Sequence, residues 1–203
     1  MTSNHFDEKA ATWDHDPAKV ERAEVVARAI VERVRPHSGT RLLEYGAGTG
    51  LVTQAMQEAV GPVTLADTSA GMRQVMADKI AAGLLPAGRI WDVDLAVDPT
   101  PDDEFDLIVT VLTLHHIHDV PAALGAFARL LAPGGHLCVV DLVAEDGSFH
   151  GEGFEGHRGF EQGPLTAQLE DAGFTGITYE ICHHLERDGV SYPIFLVTGT
   201  RTV

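Results

Sequence analysis

Three glycines at alternate positions mark the stretch of the chain best suited to hold a ligand. An apolar run, Leu42–Tyr45, leads directly into Gly46, Gly48 and Gly50, and a helical pattern follows at once. Glycines there let the backbone turn tightly and let a ligand approach the main chain without meeting a Cβ. The next apolar run ends at Asp67, where nucleotide-binding α/β sheets place a carboxylate for ribose hydroxyls. The pattern predicts a site for an adenosine-containing cofactor.

Histidines form a second group of candidate functional residues. His115 and His116 follow a long apolar run, and His150 and His157 lie in the glycine-rich connection 144–163. An imidazole can accept a proton near neutral pH, so we expect His115 or His116 to face an acceptor, with His150 and His157 contributed by a mobile lid. No metal site is expected, because no helical His-x-x-x-His pair or cysteine pair supports one.

Alternating strand-like and helix-like segments must position these residues. Apolar runs predict seven strands: Leu42–Tyr45, Val63–Asp67, Arg89–Val93, Phe105–Leu112, His136–Val143, Ile177–Glu186 and Ser191–Thr200. Helical patterns fall in between: residues 17–34, Leu51–Val60, Ala70–Ala82, Val120–Leu131 and Pro164–Ala172. Such alternation predicts an α/β fold with a mostly parallel sheet, an antiparallel strand in the C-terminal hairpin, and helices on both faces.

Composition limits the classes of partner. The 203 residues carry a net charge of −16, with 14 Lys and Arg against 30 Asp and Glu, and we expect them to form a single domain. This charge argues against nucleic acid and anionic membranes, so a small-molecule acceptor is expected. The chain shows neither a membrane-length apolar run nor a secretory signal, which predicts a cytoplasmic location. No feature of the sequence specifies an oligomeric state.

Several motifs resemble those of class I S-adenosylmethionine-dependent methyltransferases, most closely the small ubiquinone/menaquinone-biosynthesis type. Glu44 to Gly50 is similar to the first motif, and Asp67-Thr68 resembles the second. Asp94-Leu95 resembles the third motif, in which the acid and the following amide meet the adenine. The resemblance implies a Rossmann-like sheet of seven strands, S-adenosylmethionine as cofactor and S-adenosylhomocysteine as product. It implies these cofactor-binding residues: Trp13, Glu44, Gly46, Ala47, Gly48, Asp67, Thr68, Met72, Asp94 and Leu95.

The same resemblance assigns roles to two further segments and leaves two alternatives. Residues 1–36 would be a cofactor-covering segment followed by a helix, and residues 144–163 would cover the substrate. The implied function is methyl transfer to a small molecule by direct displacement. One alternative is a non-catalytic partner or sensor domain that binds the same cofactor. The other is an NAD-dependent oxidoreductase. It is opposed by Leu51, which stands where G-x-G-x-x-G would place its third glycine, and by the absence of a Tyr-x-x-x-Lys pair.

Overall fold

A single seven-stranded sheet organises the chain, and the computed structural model describes residues 3–202. The strands are β1 (Leu42–Tyr45), β2 (Val63–Ala66), β3 (Gly88–Trp91), β4 (Phe105–Val111), β5 (Leu131–Leu142), β6 (Phe174–Arg187) and β7 (Val190–Arg201). Their order across the sheet is β3-β2-β1-β4-β5-β7-β6. Strands β1 to β5 are parallel, and β7 runs antiparallel to both β5 and β6. The predicted fold class is therefore confirmed.

Helices connect the strands and flank the sheet. They are α1 (Ser3–Lys9), α2 (Pro17–Val34), α3 (Leu51–Met56), α4 (Ala70–Ala81), α5 (Val120–Leu130) and α6 (Gln162–Asp171), with 3-10 turns at Ala10–His15, Gln57–Ala59 and Leu114–His116. Side-chain caps fix three starting points: Asp16 accepts from the amide of Ala18, Ser69 from Met72 and Asp119 from Ala122. Within the described residues, no helix is long and apolar enough to span a membrane.

The hydrophobic core consists of two clusters of buried side chains. One cluster includes Phe105, Phe127 and Phe195 and packs α5 and α6 against the sheet. The other includes Ile30, Leu42 and further aliphatic residues and packs α2 and α3. Because side chains alternate along each strand, the strands can supply both clusters at once. The parallel strands therefore lie between covered faces, and their carboxyl ends are left to form a site.

Among the strand boundaries, the start of β5 differs most from the prediction. Strand β5 begins at Leu131 rather than His136, because Leu131 already pairs with Phe105 and pairing resumes at Leu107 and His136 after a register shift. The intervening Pro-Gly-Gly segment is an irregularity within the strand, with Gly134 at a φ of 80°. Ahead of α2, the described part of the N-terminal segment consists of α1 and the 3-10 turn Ala10–His15.

Candidate functional site

The glycine loop leaves β1 with three residues in left-handed conformation. Gly46, Gly48 and Gly50 have φ values of 69°, 57° and 78°. A Cβ on Gly46 would lie 2.2 Å from the side chain of Thr113, whereas a Cβ on Gly48 would meet nothing within 4 Å. The loop therefore packs tightly against the sheet on one side. At Gly48 it presents open space to an approaching ligand.

Asp67 contacts the glycine loop at Gly48. Its carboxylate accepts from the amide of Gly48 at 2.8 Å and from the amide of Ser69 at 2.8 Å. Burial raises the pKa of Asp67, while these two hydrogen bonds act in the opposite direction. The predicted ribose-binding acid is thus at the carboxyl end of β2, beside the glycine loop. Thr68 and Met72 also line the cavity there.

Glu44 is a buried acid within β1. It is 3% exposed, and its Oε2 accepts from both the amide and the hydroxyl of Thr53, at 2.9 and 2.5 Å. Desolvation raises the pKa of Glu44 to about 7, although those hydrogen bonds and the charge of Lys79 favour the ionised form. Glu44 also lines the cavity. A cation that binds beside a buried acid with this pKa stabilises its ionised form and so favours loss of the proton.

Tyr45 organises the third predicted motif in a way that the sequence did not indicate. Its hydroxyl accepts from the amide of Leu95 at 3.1 Å and lies 3.3 Å from Oδ1 of Asp94. Burial raises the pKa of Tyr45, so its hydroxyl remains a neutral donor and acceptor. The Leu95 amide, which the resemblance assigns to the adenine, therefore has Tyr45 as its partner here, and Leu95 does not line the cavity. Asp94 does line it.

The N-terminal segment closes one side of the cavity. Trp13 lines the cavity, and the Lys19 ammonium lies 4.3 Å from the centre of its ring. Asp14 accepts from the Thr49 hydroxyl at 2.5 Å and pairs with Lys79 at 2.9 Å. Lys79 is only 8% exposed, whereas the side chain of Asp14 is 32% exposed, so the ion pair is shielded from water mainly on its Lys79 side.

A second contact secures the start of the same segment. The Asp7 carboxylate accepts from the Ser69 hydroxyl at 2.5 Å and from the Gly71 amide at 2.8 Å, at the N-terminus of α4. These hydrogen bonds lower the pKa of Asp7. A carboxylate is favoured at a helix N-terminus, where amides lack internal partners. Asp7 and Asp14 therefore hold the N-terminal segment against the glycine loop and the start of α4.

One cavity of about 1060 Å³ joins the predicted cofactor residues to the histidines. Its first part is lined by the glycine loop, Asp67, Asp94 and the N-terminal segment. Its second part is lined by Leu112, His115, His116, Phe149 and His150, among others. Leu112 has a φ of 51° at the end of β4, a conformation that non-glycine residues seldom adopt and that is concentrated at functional sites.

His115 is buried against an acid that the sequence reading missed. Its Nδ1 lies 2.6 Å from Oδ1 of Asp141, and its backbone amide donates to Oδ2 at 3.1 Å. Asp141 is fully buried in β5. Since a carboxylate accepts, Nδ1 carries the hydrogen and the Nε2 of a neutral ring presents a lone pair. No local spacing reveals this pair, because it depends on β4 and β5 lying side by side.

The remaining predicted histidines have different surroundings. His116 and His150 line the cavity beside His115, with ring centroids 4.0 and 4.8 Å from that of His115. His157, which the sequence predicts to serve the acceptor from the same connection as His150, does not line the cavity. Its Nε2 bonds the carbonyl of Ile117 at 3.0 Å and its amide donates to the His115 carbonyl at 2.8 Å. His157 thus connects the segment 144–163 to the turn Leu114–His116 and to Ile117, which follows it.

Comparison with known proteins agrees with this geometry. Residues 19–189 match the family described as "Methyltransferase domain". The chain is 35% identical over 147 residues to the biotin biosynthesis bifunctional protein BioCD of Bordetella avium, covering 70% of this chain and 30% of the relative. It is 30% identical over 146 residues to the ubiquinone/menaquinone biosynthesis C-methyltransferase UbiE of Pseudomonas paraeruginosa, covering 70% and 57%. The match thus spans less than two thirds of either relative.

A solved structure shares the fold at low sequence identity. Phosphoethanolamine N-methyltransferase 2 of Haemonchus contortus, in complex with S-adenosyl-L-methionine, superposes with a TM-score of 0.73 at 15% identity. The superposition covers 98% of this chain and 60% of that one. At this identity the similarity concerns the fold, and the acceptor must be argued from this chain's own residues.

Proposed function

Because the chain belongs to the methyltransferase domain family, we propose that its cavity binds S-adenosylmethionine and transfers the cofactor's methyl group to a small molecule by direct displacement. The observation that carries the proposal is the continuity of the cavity, which joins the glycine loop to the histidines. Its volume of about 1060 Å³ slightly exceeds the range of about 300–1,000 Å³ for small-molecule sites. That volume suits a cofactor and an acceptor held together.

The adenosine half of the cofactor would lie against the first part of the cavity. Asp67 would exchange its hydrogen bond with Gly48 for the ribose hydroxyls, and Asp94 and Met72 would border the adenine. Trp13 would cover the cofactor from the N-terminal side. Gly48 supports this placement, since nothing occupies the space above it.

The methionine half would meet charges of both signs. Glu44 supplies a buried carboxyl for the cationic amino group. Arg22 lines the same cavity on α2, and burial lowers the pKa of its guanidinium. A partly desolvated guanidinium favours a carboxylate partner, so we assign Arg22 to the cofactor's carboxylate. The sequence reading missed Arg22 because its helical position alone marks it only as polar.

The acceptor would occupy the second part of the cavity. Phe149 and Leu112 provide apolar walls there, and His115, His116 and His150 provide nitrogen atoms near the acceptor's reactive group. Holding two reactants in line supplies much of the rate of a displacement, and an imidazole can remove the acceptor's proton as the methyl group arrives. The net charge of −16 further favours a small molecule over a nucleic acid.

Cofactor binding provides the primary test. Replacing Asp67 by Ala removes a charged acceptor worth about 1.5–3 kcal/mol, so S-adenosylhomocysteine should bind at least ~10-fold more weakly by calorimetry. Asp102→Ala, which changes an exposed acid outside the cavity, is the matched control and should leave affinity unchanged. Equal affinity in a folded Asp67→Ala variant would contradict the assignment.

Turnover tests the acceptor half. Release of S-adenosylhomocysteine can be screened against panels of small acceptors with O–H, N–H and acidic C–H groups. With an active acceptor, His116→Ala should keep cofactor affinity and lose about 10²–10⁴ in rate, as expected for loss of a group that removes the acceptor's proton. Full turnover in that variant would show that His116 does not serve the acceptor.

A further inference from the structure

Three imidazoles from two distant parts of the chain converge at the proposed acceptor end of the cavity. One ring nitrogen from each of His115, His116 and His150 lies within 4.8 Å of one ring nitrogen from each of the other two. If protonated, rings this close would repel one another. Neutral rings, by contrast, present lone pairs that a single cation could share.

We propose that His115, His116 and His150 bind one divalent transition-metal ion, with Zn²⁺ as the best match. Imidazole nitrogen is a preferred ligand of Zn²⁺, Cu²⁺, Ni²⁺ and Fe²⁺, whereas Mg²⁺ and Ca²⁺ prefer several oxygen ligands. Sequence spacing argues against a metal here, because His150 is far from the other two histidines. The fold removes that objection.

Asp141 gives His115 the orientation of a metal ligand. The buried carboxylate holds the Nδ1–H at 2.6 Å, which leaves the opposite nitrogen as the donor atom. Metal-binding histidines characteristically donate their second ring hydrogen to a carboxylate or carbonyl in this way. Asp141 itself accepts from the amides of His115 and Leu142, so it is fixed before any ligand arrives.

His150 is the second independent observation. Its Nδ1 is buried and, among the described residues, makes no hydrogen bond. The ring stacks on Phe154 with centroids 3.8 Å apart and planes within 6°. A buried nitrogen atom without a partner is costly, and coordination to a metal would provide that partner.

Binding requires a small contraction of the cluster. Zn–N bonds of about 2.1 Å in tetrahedral geometry place ligand nitrogens ~3.4 Å apart, so the most distant pair must close by about 1.4 Å. His150 lies between Gly147 and Gly151, whose φ values are 97° and 80°, in a connection able to make that movement. Three ligands leave coordination positions open toward the cavity.

Those open positions would give the metal a role in the proposed reaction. With the ion bound, the free lone pairs of these imidazoles are held by the metal, so an acceptor oxygen or nitrogen bound there would give its proton to water rather than to His116. Its own lone pair would then attack the methyl carbon as the carbon–sulfur bond breaks. This consequence rests on the proposed function. Metal binding itself does not, and it can be measured without any acceptor.

The test is metal binding by tag-free, chelator-treated protein. Zn²⁺ competition with a chromophoric chelator should show one ion per chain, and Co²⁺ should give the visible absorption of a nitrogen-bound site. His150→Ala and His116→Ala should each weaken Zn²⁺ binding by at least ~100-fold, and Asp141→Asn by ~10–100-fold. His118→Ala, at an exposed histidine outside the cluster, should bind as the wild type does.

Calorimetry with S-adenosylhomocysteine on the same proteins verifies that each variant is folded. The proposal is overturned if the wild type binds no stoichiometric Zn²⁺, or if His150→Ala and His116→Ala bind it unchanged. Either result leaves cofactor binding, and hence the proposed function, intact. Conversely, Zn²⁺ binding without binding of S-adenosylhomocysteine would count against the proposed function and in favour of the metal site.

Discussion

At the scale of single residues, Glu44 is the group through which the proposed cofactor binding should depend on pH. It is buried at the end of the first strand, and its pKa of about 7 means that the carboxyl is partly protonated in the cofactor-free protein near neutral pH. Lys79 and Asp67 are the charged groups that act on it, with opposite effects. A cofactor carrying an amino cation would favour the ionised form, so binding should release a proton.

The first prediction is therefore a pH dependence of cofactor affinity. As pH falls from 8 to 5.5, S-adenosylhomocysteine should bind progressively more weakly, approaching ~10-fold per pH unit below the pKa of Glu44. Calorimetry in buffers of different ionisation enthalpy should detect the proton released near pH 6.5. Glu44→Gln should abolish both effects, and their persistence in that variant would assign them to another group.

The raised pKa also fixes the sign of a stability effect. Because folding raises the pKa of Glu44 above its ordinary value of 4.5, its contribution is fully present below pH 4.5 and is lost as pH rises through 7. In the cofactor-free protein, Glu44→Gln should therefore raise the melting temperature at pH 8 relative to the wild type. At pH 5 the same comparison should show little gain.

At the scale of elements, the cover of the site owes its position to tertiary contacts. Helix α1 and the following 3-10 turn are held by Asp7 on Ser69 and Gly71, and by Asp14 on Thr49 and Lys79. A helix as short as α1 is marginal in isolation. Both the helical structure of this segment and its docking on the rest of the chain should therefore depend on the carboxylates of Asp7 and Asp14.

The second element-scale consequence is testable with Asp14→Asn. Loss of the shielded ion pair with Lys79 should loosen residues 6–15, raise their amide hydrogen exchange, and weaken S-adenosylhomocysteine binding several-fold. Glu8→Gln, an exposed acid on the same segment, is the matched control and should behave as the wild type. Unchanged exchange in Asp14→Asn would show that Asp7 alone suffices.

Elements with local signals were predictable, whereas those set by long-range contacts were not. Helix α2 carries its own cap at Asp16, its Pro17 start and an apolar stripe, and the glycine loop carries its own conformational requirement. The N-terminal cover, the Tyr45–Leu95 hydrogen bond and the His115–Asp141 pair involve partners far apart in the sequence. The apolar periodicity of an element predicts which of its faces is buried, but it does not predict which residues of other elements pack against that face.

At the scale of the whole molecule, the cavity links elements from both sides of the sheet. Its walls come from α2, the glycine loop, the end of β4 and the connection after β5. A ligand that contacts all of these stabilises the folded chain against the unfolded one by mass action. Local recognition of the cofactor should therefore be visible as global stability.

Thermal unfolding provides the corresponding prediction. S-adenosylhomocysteine at about 100 times its Kd should add ~2.7 kcal/mol, which for a chain of this size corresponds to a rise of about 5–10 °C in Tm. NAD at the same concentration should produce no shift in Tm, because Leu51 replaces the third glycine of the G-x-G-x-x-G motif that binds NAD. A shift with NAD and none with S-adenosylhomocysteine would reverse the assigned cofactor.

The strand order has a consequence for how such a site can be inherited. The order reverses where β1 and β4 lie side by side, so Glu44, Asp67 and Asp94 come from the first half of the chain and the histidines from the second. The largely exposed stretch 98–104 separates the two halves. Recombination within this stretch would pair one donor-binding half with a different acceptor-binding half. New acceptors could then arise by exchange of a single contiguous segment, with methyl-donor recognition carried over unchanged.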